Sequence, residues 1–234
     1  MKKIKILTAI FCIISTISYS QNNNKMKLPE INKDFEKFDV SVFSKNTSNI
    51  EKVESKGLKT SDTVFVNVTA SRYEIRDTNN RLLSYYFRGE ESEIAKISGY
   101  DYSNNPLIAV YKEFFYNGNI HLKGLYCWFG FKIGTWYTFD VKGDLITQED
   151  TDLGYEFTYE DVFDYCRQNN ISLNKEEKFR THISKGKSPQ GILSWYISFT
   201  VFEKQKVMIY ELNGKNGELV SVQEQPLNTR DLRE

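Results

Sequence analysis

A run of short aromatic segments separated by glycines, residues 111–150, constrains this chain more than any other stretch. It contains five of the chain's thirteen glycines and two of its three tryptophans. Such segments, reversing direction at glycines, are typical of antiparallel β-hairpins, because glycine adopts the positive φ that tight turns need. The stretch therefore predicts an architecture of stacked hairpins rather than a particular chemistry. Its glycines are Gly118, Gly124, Gly130, Gly134 and Gly143.

Two turns within this stretch carry the strongest local signals. Asn117-Gly118 is a dipeptide favoured in two-residue hairpin turns, and Gly143 can supply the positive φ of a turn over 140–144. The chain leaves both turns through the same pattern, Gly-x-Ile or Gly-x-Leu, 25 residues apart and each time after an aromatic strand. This predicts an internal repeat of supersecondary units that stack on one another.

Upstream of this stretch, alternating apolar and polar residues predict further strands. Residues 63–70 alternate valines with polar or aromatic neighbours, as expected for a strand covered on both faces. Residues 72–87 predict a hairpin around the Asp- and Asn-rich turn 77–80, and Ile94, Ile97 and Tyr100 predict another short strand. We therefore interpret residues 61–152 as one repeat-type β-hairpin region.

The turns and strands of the central stretch share a spaced motif: Tyr116-Asn117-Gly118, Gly124, Lys132-x-Gly134-x-Trp136-x-x-Phe139 and Gly143-x-Leu145. Across 111–147 this motif resembles the variant MORN repeat of bacterial proteins, and residues 73–83 resemble a weaker copy. The sequence departs from the family pattern at Ile133, Val141 and Lys142. The resemblance implies stacked hairpins. It also implies an antitoxin-type role as one option, because some proteins with these repeats are named after antitoxins.

The chain changes character after residue 152. Thr158 and Asp161 are spaced nearly as in a capping box, and the apolar residues that follow share one helical face, so a helix is predicted over 159–169. We interpret residues 153–234 as a small α+β module, a helix followed by an antiparallel meander. Its strands are predicted over 176–183, 195–201, 207–212 and 218–223, with a loop over 185–191.

The meander contains Trp195-Tyr196-Ile197-Ser198-Phe199, and later Tyr210-Glu211-Leu212-Asn213-Gly214 leading to Gly217-Glu218-Leu219-Val220. Over 159–223 this pattern resembles a PepSY-type module, with Asn213 and Asn216 where that family usually has Asp and Thr. Such modules are exported and are thought to act as inhibitory or binding units, so the resemblance implies a binding role. The predicted fold class is β-rich α+β, with stacked antiparallel hairpins followed by a helix and an antiparallel meander.

The first 20 residues have the order of a secretory signal peptide: three lysines, an apolar run, then Ser18 and Ser20 before a cut at Gln21. A buried N-terminal strand or helix is the alternative. Residues 21–60 are polar, with one apolar cluster over 35–43, and are interpreted as a loosely ordered leader with a short docking segment. The sequence therefore predicts export to the periplasm or medium, without a transmembrane anchor in the mature chain.

The charge balance gives no reason to expect a nucleic-acid partner. The predicted signal peptide takes three of the 31 basic residues and none of the 31 acidic ones, so the mature chain carries a net charge of −3. A protein that binds nucleic acid or an anionic membrane usually carries a basic patch. We expect an unknown protein or an envelope component as the partner instead.

Residue types that commonly carry catalysis or bind metals are few. His121 and His182 are the two histidines of the chain, and neither has a second ligand at metal-binding spacing. Cys127 and Cys166, the cysteines of the mature chain, could form a disulfide in an exported protein or could be two buried thiols. We therefore expect no metal, no cofactor and no catalytic residue among them.

Carboxylate side chains are the remaining candidates for a catalytic or metal-binding site. An acidic group follows the last predicted repeat strand and could bind calcium or flank a glycoside. The plainer interpretation is a solvated linker with favourable charge at a helix N-terminus. The residues concerned are Glu149, Asp150, Asp152, Glu156, Glu160 and Asp161.

Trp128, Trp136, Tyr137 and Phe139 are the candidate binding residues. Rings on one hairpin normally pack against the rings of the next, so a scaffold role is the first interpretation and a glycan- or peptide-stacking face is the second. We predict an exported, non-enzymatic protein- or envelope-interaction module. An immunity- or antitoxin-type inhibitor of one toxin or enzyme, and a carbohydrate-active hydrolase, are the alternatives.

Overall fold

The computed structural model describes residues 27–44, 48–52, 63–69, 71–79, 81–89, 97–175 and 181–227. The predicted signal peptide lies outside these residues, as does the segment 176–180 of a predicted strand. The described chain is β-rich, with two antiparallel sheets and one α-helix. This confirms the predicted fold class.

The first sheet has nine strands that follow one another in space in the order of the sequence. Every neighbouring pair is antiparallel, so the sheet is a succession of hairpins, as the glycine and aromatic pattern predicted. Its strands are β1 (Ser48–Lys52), β2 (Thr63–Val68), β3 (Arg72–Asp77), β4 (Leu82–Arg88), β5 (Ile97–Asp101), β6 (Ile108–Phe114), β7 (Ile120–Cys127), β8 (Lys132–Phe139) and β9 (Leu145–Asp150).

The glycines of the two turns singled out in the sequence adopt a positive φ as expected, whereas Asn117 does not, and the two turns contact each other. Gly118 has a φ of 83° and Gly143 a φ of 100°, the left-handed region that glycine tolerates. The side-chain amides of Asn117 and Asn119 donate hydrogen bonds to the Val141 carbonyl at 3.2 and 3.0 Å. Successive hairpins are therefore joined at their turns as well as along their strands.

After the first sheet, the chain forms a helix and a four-stranded antiparallel sheet. Helix α1, Tyr159–Gln168, begins after Thr158, whose side chain accepts the Asp161 N–H while the Asp161 side chain accepts the Thr158 N–H. This is the capping box that the sequence predicted. The strands of the second sheet, in spatial order, are β10 (His182–Lys187), β11 (Leu193–Val201), β12 (Lys206–Asn213) and β13 (Leu219–Pro226).

The predicted loop over 185–191 is wrong at its start. Strand β10 continues to Lys187, because its second half pairs with β11, for example Lys185 with Trp195. This pairing overrides the weak intrinsic strand preference of glycine and lysine. The reversal is confined to residues 188–192.

The two sheets share one hydrophobic core. Side chains of β6, β7 and β8 meet the apolar face of α1 and the inner faces of β10, β11 and β12 in a single cluster. Trp195, which is 1% exposed, lies within it and donates its indole N–H to the Phe157 carbonyl at 2.9 Å. The cluster includes Ile108, Leu125, Cys127, Phe129, Phe131, Ile133, Val162, Phe163, Cys166, Ile183, Ile197 and Leu212.

Residues 27–44, which we call the N-terminal strap, lie against the first sheet. Near one end of the strap, Leu28 and Ile31 pack against the shared core. The backbone N–H of Phe38 donates to the Gly118 carbonyl at 2.8 Å, so the strap also forms hydrogen bonds at the turn before β7.

The strap closes a second, smaller core. The Phe38 ring lies 5.0 Å from the Tyr86 ring and 5.3 Å from the Phe114 ring, between centroids. Phe43, in the 3-10 helical turn Val40–Ser44, is 3% exposed. Its buried partners in this cluster are Ile97, Phe114, Ile120 and Phe139.

Candidate functional site

The four aromatic candidates from the sequence lie in different environments. Trp136 is 2% exposed and Phe139 is 1% exposed, so both are core side chains. Phe139 and the half-buried Tyr137 belong to the cluster beneath the strap, whereas the half-buried Trp128 contacts Tyr102. The structure therefore does not bring the four rings together as one binding face.

A different set of rings forms a continuous surface. Tyr85, Tyr100, Tyr111 and Tyr126 lie on the successive strands β4 to β7, and we call these four residues the tyrosine row. The distance between ring centroids is 5.3 Å from Tyr85 to Tyr100, 4.7 Å from Tyr100 to Tyr111, and 6.2 Å from Tyr111 to Tyr126. All four side chains are half-buried, so each keeps part of its surface accessible. The row runs across the strands rather than along them.

Two small residues make room for these rings. Cross-strand pairing places Gly124 opposite Tyr111 and Ala109 opposite Tyr126. A Cβ atom on Gly124 would lie 2.2 Å from atoms of the Trp136 ring, so the indole lies directly on the Gly124 backbone. Ala109, on β6, is fully buried. Its small side chain lets the Tyr126 ring reach across β6 to the Tyr100 ring on β5, with a centroid distance of 5.7 Å.

The hydroxyl groups of Tyr100 and Tyr111 are held neutral. Burial, and next the neighbouring tyrosines, raise the pKa of Tyr100 to about 12. Burial and the hydrogen bond that Tyr111 donates to Glu113 Oε1, at 2.5 Å, raise the pKa of Tyr111 well above its ordinary value. Tyr100 and Tyr111 therefore stay neutral phenols throughout the physiological pH range.

Charged side chains flank both ends of the row and have partners of their own. Glu74, on β3, is 6% exposed and lies between Arg72, at 3.1 Å, and Arg76. At the other end, Lys132 Nζ lies 4.2 Å from the centroid of the Trp136 ring, a cation–π contact. The row itself is thus a neutral aromatic surface between two charged borders.

Beyond Tyr126, the surface continues into a groove of about 800 Å³ between the two sheets, which we call the junction groove. Tyr155, another aromatic lining residue, donates its hydroxyl to the Gly186 carbonyl at 3.2 Å. Lys185 in this groove pairs with Asp152; burial lowers the pKa of Lys185, and the ion pair opposes that shift. Further polar lining residues are Lys132, Gln148, Glu149 and Ser184.

The carboxylates considered for a calcium or glycoside site do not converge. Glu149 and Asp150 are consecutive on β9, so their side chains point to opposite faces of the sheet. Asp152 accepts a backbone N–H and pairs with Lys185, and Asp161 caps α1. Among the residues that the structure describes, no group of three or more histidine, cysteine, aspartate or glutamate side chains could hold a metal ion.

The remaining candidates for chemistry lie apart from the row or are buried. Cys127 and Cys166 are buried as free thiols, and burial raises the pKa of each to about 12, so both stay protonated at neutral pH. His121 Nδ1 lies 3.3 Å from Glu113 Oε2, and the His182 ring lies against the Gly130 backbone. These contacts assign neither histidine nor cysteine a chemical role.

The tyrosine row was not predicted from the sequence, although part of its signal was present there. Counting back from a two-residue turn at Asn117-Gly118 places Tyr111 opposite Gly124, the pairing that the structure has beyond a bulge at Glu113 and Phe114. A large ring opposite a glycine indicates that a neighbouring ring, here Trp136, fills the space. The connection between β4 and β5, residues 89–96, is too long for its sequence to fix their register, so the first half of the row gave no signal.

No family model, curated protein or solved structure matches this chain. The resemblances to the variant MORN repeat and to the PepSY-type module therefore stay predictions. In the part of the chain that the structure describes, no helix has the length and apolar character needed to cross a membrane.

Proposed function

We propose that this chain is an exported, non-enzymatic protein that binds an extended component of the cell envelope through its tyrosine row. One observation carries the proposal: four tyrosines on successive strands are in ring contact, yet each keeps part of its surface accessible. Tyrosine combines an apolar ring with a polar tip and is enriched where proteins meet partners.

The contrast with the buried rings supports a binding role for the row. Trp136 and Phe139 are almost completely buried and stabilise the fold, as a scaffold role requires. The row also contributes cross-strand contacts, but each of its side chains keeps part of its surface accessible. An accessible aromatic strip that crosses four strands is larger than the scattered single rings that ordinary surfaces expose.

Export gives the first prediction. In the source organism, the chain is expected in the envelope or medium with Gln21 at its N-terminus, because the residues before it have the order of a signal peptide. Fractionation followed by mass spectrometry of the N-terminal peptide measures this. A cytosolic protein that begins at Met1 would contradict export.

Binding gives the second prediction. The chain Gln21–Glu234 is expected to bind immobilised envelope extract, and Tyr85→Phe combined with Tyr100→Phe should weaken that binding roughly 30-fold. This estimate assigns about 1 kcal/mol to each of two lost hydrogen bonds. Concentration-dependent retention on the immobilised extract measures the dissociation constant, and circular dichroism confirms that the variant is folded.

Tyr196→Phe is the matched control, because Tyr196 is also half-buried but lies on β11 of the second sheet. This variant should bind like the unmodified chain. If the folded double variant also binds like the unmodified chain, the row is not the binding surface. If a single soluble toxin or enzyme is retained instead of an envelope component, the inhibitor alternative replaces this proposal.

A further inference from the structure

The direction of the tyrosine row restricts what can bind to it. The row crosses the strands, with steps of 5.3 and 4.7 Å over its first three rings. A peptide that extends a sheet lies parallel to the strands at an edge, where it exchanges backbone hydrogen bonds. A polymer that follows this row crosses the middle of the sheet, and its contacts must be made with side chains.

The row offers contacting aromatic rings and neutral phenols. Each of the four side chains keeps part of its surface accessible while its ring contacts a neighbour. The pKa of Tyr100 is raised to about 12, and the Tyr111 hydroxyl, whose pKa is also raised, already donates to Glu113. Sugar rings, which combine apolar C–H surfaces with hydroxyls around their rim, complement such a strip.

The charges around the row favour a neutral polymer. Glu113 accepts the Tyr111 hydroxyl and lies beside His121, and Glu74 lies between two arginines. A polyanion would need a stripe of cations along its path, whereas the row itself offers phenols with raised pKa values. A polycation would need a comparable stripe of anions.

A buried donor and the junction groove extend this surface. Trp136 Nε1 is buried without a hydrogen-bond partner among the described residues, and its ring lies beneath the flexible Lys132 side chain. Buried donors are normally satisfied, and a ligand hydroxyl could reach this one if Lys132 moved aside. Tyr126 belongs to both the row and the groove, whose volume of about 800 Å³ and polar lining suit a hydroxyl-rich chain.

We infer that the ligand of the tyrosine row is a neutral polysaccharide whose chain crosses strands β4 to β7 and enters the junction groove. This inference rests on the proposed function, since it names the class of the envelope component that the row binds. The Tyr100 hydroxyl hydrogen-bonds the sugar hydroxyls, and the accessible parts of the rings contact the C–H surfaces.

The test uses the immobilised envelope extract after two separate treatments. Proteinase digestion removes protein partners, whereas periodate cleaves carbon–carbon bonds between the vicinal hydroxyls of sugars. Binding of the chain Gln21–Glu234 should survive proteinase, fall at least about tenfold after periodate, and change little at high salt, because no charge pairs form. Tyr100→Phe should weaken binding to the proteinase-treated extract about fivefold, and Tyr196→Phe should not.

Each result that differs from this expectation leads to a single conclusion about the ligand. Binding that is lost with proteinase and resists periodate makes the partner a protein, which overturns this inference and leaves the proposed function standing. Periodate-sensitive binding that disappears at high salt makes the glycan a charged one and overturns the inference as well. If the chain does not bind the untreated extract at all, the proposed function fails, and this inference fails with it.

Discussion

Trp136→Ala is expected to lower the free energy of unfolding by about 3–5 kcal/mol, the usual cost of removing a buried tryptophan. The indole is 2% exposed, lies on the Gly124 backbone and contacts Tyr111 at a centroid distance of 5.7 Å. Its removal leaves a cavity between β7 and β8, and because strand pairing surrounds this site, the cavity cannot easily collapse. Urea denaturation monitored by circular dichroism measures the loss.

Gly124→Ala tests the same contact from the other side. The new Cβ would lie 2.2 Å from the indole, so the ring must move, at a cost of about 1–3 kcal/mol. In a Trp136→Ala background the same change should cost little, because the clash is gone, so the two effects are strongly non-additive. Gly186→Ala is the matched control, since nothing lies within 4 Å of its Cβ position. Additive effects would contradict the packing described here.

The sequence was most informative where local backbone conformation decides the structure. Positive φ at Gly118 and Gly143 is a local requirement, and the capping box at Thr158 needs only four consecutive residues. Hairpins and helix could therefore be predicted without knowledge of their neighbours. The end of β10 could not be predicted, because its extension to Lys187 depends on pairing with β11.

The candidate site depends on register between strands, which the sequence states only indirectly. Trp136 and Tyr137 are consecutive on β8, so alternation sends their side chains to opposite faces of the sheet. Aromatic content alone therefore could not define a common face. The tyrosine row arises because one ring from each of four strands comes into line. Bulges in several strand pairs of the first sheet shift the pairing register by a residue, so the sequence alone does not show which residues face each other.

The N-terminal strap shows a second limit of prediction from the sequence. The polar composition of this segment did not indicate that it forms a specific ion pair with the first sheet. Lys123 lies in β7 between Leu122 and Gly124, and its side chain is completely buried. Its ammonium group donates to the Asp34 carbonyl at 2.5 Å and to Glu36 Oε1 at 2.7 Å. A buried lysine needs such partners, but they come from residues almost 90 positions away in the sequence.

Glu36→Gln is therefore expected to lower the free energy of unfolding by about 2–3 kcal/mol, because it leaves Lys123 buried without its counter-charge. This is below the usual cost of breaking a fully buried pair, since the Glu36 side chain is 34% exposed. Lys123→Met should cost less, because it removes the buried charge itself while Glu36 keeps its contact with Lys112. Urea denaturation at pH 7 compares the two, and a larger loss for Lys123→Met would contradict this account.

The same ion pair predicts how stability depends on pH. Burial alone would raise the pKa of Glu36, but the hydrogen bonds from Lys112 and Lys123 outweigh it, so the pKa lies below its ordinary value of 4.5. A carboxylate with a lowered pKa stabilises the folded state above its ordinary pKa, and this contribution is lost as the pH falls through the folded-state value. The difference in stability between the unmodified chain and Glu36→Gln should therefore shrink below about pH 4.5. Glu224→Gln, which alters the exposed pair with Lys206, should show no comparable loss at any pH. A difference that stays constant from pH 7 to pH 3 would mean that Glu36 acts through its shape rather than its charge.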